Sequence, residues 1–185
     1  MNEFYIVEKI ICELMKEVSL YEELYGNEES VEKLNSSFPQ AFSIFQQAMF
    51  FEIVCRISAL FDPAQMRSSK NLTISHLVDL CADNITKELV LEVEAIKYDF
   101  KVTGIKDLRN KVYAHNDLKK YLGKKELSTN ISYESVMDLL DGMFKVVRSM
   151  GIESKMVDPA QTIARDTKIP KFKSGVTLVN ELERA

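Results

Sequence analysis

Apolar residues at helical spacing run along most of the chain. Ile6, Ile10, Leu14 and Tyr21 recur with that period, flanked by Val7, Ile11, Met15 and Val18, while Glu and Lys fill the opposite face. This pattern predicts an amphipathic first helix. Gly26-Asn27 reads as its stop or kink, and Glu28 to Asn35 as a short continuation. Ser37-Phe38-Pro39 is a start signal: Ser37 can cap, and a proline in the first turn loses no hydrogen bond. The helix expected over about 38–61 is apolar nearly all round, with Phe42, Phe45, Met49, Phe50, Phe51, Ile53, Val54, Ile57, Leu60 and Phe61. Such a helix is central, packed on several sides, or part of a subunit seam. Asp62-Pro63 ends it, and 64–72 is polar and loop-like.

Thr73 or Asn71 caps a short helix ending near Cys81, with Ile74, Leu77, Val78 and Leu80 inward. Asn84-Ile85-Thr86 opens another, whose buried stripe is Leu89, Val93, Ile96 and Phe100. Gly104 predicts a kink or short break, after which Leu108 and Val112 resume the stripe; the lysines around Gly123 read as a loop. Asn130 or Ser132 caps a last long helix over about 132–150, with Val136, Leu139, Leu140, Met143, Phe144 and Val147 inward and Gly151 closing it. Residues 152–172 lack periodicity, contain Pro159 and Pro170, and read as an extended arm; Val176, Leu178, Val179 and Leu182 suit a small terminal helix or strand. The expected fold is all-α: an antiparallel bundle of four to five helices over 1–150, followed by a C-terminal arm over 151–185.

Composition narrows the functional classes. A chain of 185 residues, 46% apolar and 28% charged, is one globular domain, and six Gly with four Pro give too few turns for a many-stranded barrel. Cys12, Cys55 and Cys81 form no CxxC pair, and there are only two histidines, so no zinc site, disulfide framework or cofactor is expected. Cys55 and Cys81 read as core thiols and His76 as a polar position on the short helix. Met1-Asn2-Glu3-Phe4 is not a signal-peptide start, and the most apolar stretch, 48–61, is broken by Glu52 and Arg56, so no membrane span is expected. The expected setting is the reduced cytoplasm.

Charge changes the picture more. The chain carries a net charge of −4, yet nine Glu against three Lys leave residues 1–35 at −6, and eight cations against Asp107 and Asp117 leave residues 101–125 at +6. A basic segment inside an acidic protein is either a solvated face or a polyanion site. It contains Leu108-Arg109-Asn110-Lys111-Val112-Tyr113-Ala114-His115-Asn116-Asp117. On a straight helix Arg109 and His115 stand about 120° apart and about 9 Å along the axis, so they flank a groove rather than stack. Two copies related by a two-fold axis would bring both pairs around one phosphate. Arg can hold phosphate oxygens and stabilise charge in the transition state. A histidine moves protons at neutral pH, and Asn110 can orient the imidazole or bond the phosphate. In RNA the 2′-hydroxyl is a built-in nucleophile, so this set suits metal-free phosphodiester cleavage. Taken singly, His115 also serves as a helix-end cation, and Arg109 as an ion-pair partner of Asp107 or of a residue on another helix.

Arg109-Asn110, then four residues, then His115, late in an all-α bundle, resembles the signature of the HEPN superfamily. The wider pattern is similar to the abortive-infection AbiU-type branch: Leu60-Phe61-Asp62-Pro63 closing an apolar helix, Asn71-Leu72-Thr73-Ile74 opening a short one, and Leu108 to Asp117. The resemblance covers roughly 1–150. It implies a homodimeric, metal-independent endoribonuclease, of the kind used as toxins in phage defence, with an antitoxin or defence partner. Arg109, His115 and Asn110 would be catalytic, Lys106, Lys111, Lys119 and Lys120 would guide RNA phosphates, and Tyr113 and Asp117 would support the site. Members that only bind nucleotide, RNA or a protein partner give the alternative. One toxin branch carries a Tyr two residues after the His, modified by a partner nucleotidyltransferase; Asp117 stands there, and Tyr113 is not equivalent.

Overall fold

The computed structural model describes residues 2–110, 129–160 and 174–182. Helix α1 (Glu3–Tyr25) starts where the Asn2 side chain accepts a hydrogen bond from the Phe4 amide at 2.9 Å. Asn27 then caps α2 (Glu28–Ser37), accepting from the Ser30 amide at 2.8 Å. Helix α3 (Pro39–Leu60) follows with Pro39 in its first turn. Ser37 does not cap it. That hydroxyl bonds the Lys33 carbonyl at 3.0 Å inside the last turn of α2, and α3 begins at Phe38 with no side-chain cap. One residue between two helices leaves Ser37 helical on the wrong side of the junction.

The segment expected to be loop contains a minimal hairpin, β1 (Gln65–Met66) with β2 (Ser69–Lys70), turning through Arg67 at a φ of 54°. Asn71 closes it, its amide on the Pro63 carbonyl at 2.8 Å, which leaves Thr73 to cap α4 (Ile74–Cys81). Leu77 and Cys81 are buried, but Leu80 points outward and is exposed, because eight residues of helix bury only one narrow face. Thr86 caps α5 (Lys87–Thr103), which ends at Gly104 with a φ of 73°; α6 (Ile105–Leu108) leaves at once in a new direction. Ser132 and Ser135 cap each other at the start of α7 (Tyr133–Glu153). Gly151 does not close α7 but lies inside it: the Val157 amide returns to the Gly151 carbonyl at 2.8 Å, and a Cβ there would meet Val157 Cγ2 at 2.5 Å. Helix α8 (Gly175–Leu182) places Val179 with Leu24, Leu34 and Phe42 in a small cluster beside α1 and α2.

The long helices pack antiparallel around one core. Gly151 near the end of α7 lies by Phe4 at the start of α1, Tyr21 near the end of α1 packs at a tilt against Phe50 of α3, and the Thr86 amide before α5 donates to Glu153 at the end of α7. Fully buried Phe4, Ile11, Leu14, Met15, Ile57, Leu77, Leu140, Met143 and Met150 fill the centre. Glu8 sits among them, 1% exposed, and both its carboxylate oxygens lie 3.5 Å from Arg148 Nη1 of α7. Burial pushes the Glu8 carboxyl above its ordinary value, and the charge and hydrogen bonds of Arg148 oppose that rise. Among the described residues no helix is long and apolar enough to cross a membrane.

Candidate functional site

The site forms where two helix ends meet. Helix α3 closes at Phe61 and Asp62, and Phe61 stacks flat on Phe100 of α5, ring centroids 3.9 Å apart with the planes within 2°. Gly104 turns the chain, Ile105 and Leu108 anchor α6 in the core, and Arg109 continues in helical backbone. The buried anchors point Arg109 back toward the end of α3. Its guanidinium meets Asp62 as a fork, Nη1 at 3.0 Å from Oδ2 and Nη2 at 3.1 Å from Oδ1, while Nε donates to Asn110 Oδ1 at 3.3 Å. Among the described residues these contacts take three of the five guanidinium N–H donors. Both side chains of the pair are 24% exposed, so it is neither a loose surface contact nor a core pair.

Cys55 lies near this corner, close enough to feel the Arg109 charge. Burial pushes its thiol up, and the Arg109 charge pulls the other way. Next to the corner runs a groove of about 670 Å³, with Phe61 and Pro63 on one side and Lys101, Gly104, Lys106 and Asp107 on the other. The arrangement can hold a planar anion by a guanidinium fork and offers ammonium groups nearby. Among the described residues no three His, Cys, Asp or Glu side chains cluster to hold a metal ion. His76 sits elsewhere, mostly covered, with its Nε2 3.3 Å from Glu3 Oε1 at the start of α1.

The sequence-predicted residues fare unevenly. Arg109 and Asn110 touch, and Lys106 lines the adjoining groove. His115, Lys111, Tyr113, Asp117, Lys119 and Lys120 lie outside the described residues. Sequence reasoning allowed Arg109 a partner on another helix but named none. Asp62 is that partner, and it had been read only as a helix stop. Nothing local in the sequence pointed to the pair, since the two residues are 47 positions apart.

A family model described as AbiU2, of the HEPN group, matches residues 6–155. No curated relative and no solved structure matches the chain. The match spans most of the sequence and takes in the bundle, Asp62 and the whole Arg109–His115 stretch; the chain belongs to the HEPN AbiU2 family.

Proposed function

We propose that the protein is a metal-independent endoribonuclease of HEPN type, serving as a toxin or abortive-infection effector in phage defence. The observation that carries this reading is Arg109, first residue of the family's motif, held as a fork next to a lysine-lined groove. In this mechanism His115 takes the proton of an RNA 2′-hydroxyl. The 2′-oxygen bonds to phosphorus, the bond from phosphorus to the 5′-oxygen breaks, and a histidine returns a proton to that leaving oxygen. The products are a 2′,3′-cyclic phosphate and a 5′-hydroxyl. Arg109 steadies the charge that grows on the non-bridging oxygens, and Asn110 orients.

The active form in this reading is a homodimer with both motifs around one cleft. Support comes from the outer face of α3. Ala41, Ile44, Ala48, Phe51 and Cys55 follow each other at alternating spacings of three and four, and α3 ends just before Asp62. Ile44 is 64% and Phe51 42% exposed, so this stripe presents large apolar side chains to solvent. Pairing along that stripe would carry both Arg109 corners toward the two-fold axis. Ile44→Glu combined with Phe51→Glu is expected to give a monomer by sedimentation and to lose cleavage with it. An unchanged sedimentation coefficient would remove α3 from the seam.

A second reading has an observation of its own. Asp62 neutralises Arg109 and occupies its fork, as suits a module that binds nucleotide, RNA or a protein partner without turnover. Labelled mixed-sequence RNA at low salt with EDTA separates the two. Cleavage by the native chain and none by a folded His115→Ala variant supports the ribonuclease; binding without cleavage by either supports the module.

A further inference from the structure

The groove beside Arg109 is built from more than the basic stretch of sequence. Lys97 and Lys101 lie four residues apart on α5, one above the other at a rise of about 6 Å. Lys106 stands beyond the Gly104 turn, and Arg109 follows it by one turn of backbone. Lys97, Lys101 and Lys106 all line the groove, and Arg109 lies just beyond its lining. Phe61 and Phe100 form the floor, locked by their mutual stacking and by the burial of Phe100. Asp107 is the acidic side chain among the lining residues, and Glu94 holds Lys97 at 2.7 Å, so Lys101 and Lys106 carry most of the field. Ammonium groups along the wall of a groove match the phosphates of a sugar-phosphate backbone. The volume, about 670 Å³, is that of a small-ligand cleft and takes a short single strand rather than a duplex.

We propose that this groove is the entry track for single-stranded RNA, holding the nucleotides that flank the bond presented to Arg109. The proposal rests on the ribonuclease reading for its substrate, but its test is a binding test. The probe is a fluorescein-labelled single-stranded RNA of a dozen nucleotides, titrated at several salt concentrations onto full-length His115→Ala protein, with and without Lys101→Gln and Lys106→Gln. A second pair, Lys9→Gln with Lys145→Gln, removes the same charge from exposed positions on α1 and α7. Single-strand binding loses about 0.7 of salt slope for each phosphate contact removed. The groove pair is therefore expected to lower the slope by about 1.4 and the control pair to leave it unchanged. Equal slopes for the two pairs, or no RNA binding at all, would overturn the track. Cleavage by the unmodified chain with equal slopes sinks the groove alone; a slope change without cleavage sinks the ribonuclease and keeps the groove.

Discussion

Two of the arginines that meet carboxylates among the described residues, Arg148 and Arg109, do so in opposite ways. Arg148 reaches Glu8 inside the core through one terminal nitrogen, at 3.5 Å to each oxygen, and the carboxylate is 1% exposed. Arg109 meets Asp62 at a helix junction through both terminal nitrogens, at 3.0 and 3.1 Å, with a quarter of each side chain open to solvent. The first pair is long and its carboxylate is buried, with Arg148 reaching in from an edge where it also bonds the Pro159 carbonyl. Removing the arginine would leave Glu8 in apolar surroundings without its cation. The second pair has fork geometry, which suits a phosphate as well as a carboxylate, and water can cover Asp62 if the guanidinium lets go. Geometry and burial leave Arg109 open to exchange its carboxylate for another oxyanion, while Arg148 ties α7 to α1.

Replacing each fork with a point charge tests that division most severely. Arg109→Lys keeps the charge and loses the paired donors, so RNA cleavage is expected to fall by about 10²–10³. Arg148→Lys is expected to leave cleavage within about twofold and to lower thermal stability instead. Equal losses of activity in the two variants would erase the distinction. Truncation gives the next largest effect. Arg148→Ala leaves Glu8 without its cation and is expected to cost about 3 kcal/mol, or roughly 10 °C by calorimetry. Arg109→Ala, whose partner Asp62 stays hydrated, is expected to cost less than half as much.

The part of this division that could be read from sequence follows from what periodicity encodes. Helix positions and the Gly104 break were legible, and the caps were narrowed to Thr73 or Asn71, to the Asn84-Ile85-Thr86 stretch and to Asn130 or Ser132, because each depends on neighbours within one turn. Ser37 misled because two helices meet across a single residue, and a hydroxyl there can bond backward as well as forward. Leu80 misled because its helix is too short to bury more than one face. Arg109 and Asn110 stood out through charge and motif spacing. Asp62, 47 positions upstream of Arg109, and Glu8, 140 upstream of Arg148, did not, since long-range pairs leave no local pattern. Lys97 went unnoticed for a related reason: it precedes the basic segment, and the α5 helix brings it to the groove.

Asp62→Asn sharpens the comparison at smaller scale. It keeps the shape of the fork's partner and removes its charge. If Asp62 and RNA phosphate compete for Arg109, binding of single-stranded RNA to the His115→Ala protein tightens by up to about fivefold, the equivalent of about 1 kcal/mol for a partly exposed pair. A weaker complex would mean that Asp62 holds Arg109 in place for the phosphate rather than against it.

The core pair has its own signature, the smallest of the four, and it lies in pH. The folded Glu8 carboxyl titrates above its ordinary value of 4.5 because burial outweighs Arg148. Between that value and the raised one, the folded protein holds a proton that the unfolded chain has released. The contribution of Glu8 to stability is therefore fully present below 4.5 and is lost as pH rises through the raised value. Glu8→Gln has nothing to titrate at this position. Melting temperatures of the two proteins, compared from pH 4 to 7, are expected to show native chain minus variant falling with pH and then levelling. A difference that grows with pH would mean that Arg148 outweighs burial, and that the closed pair favours the ionised form as strongly as the open one does.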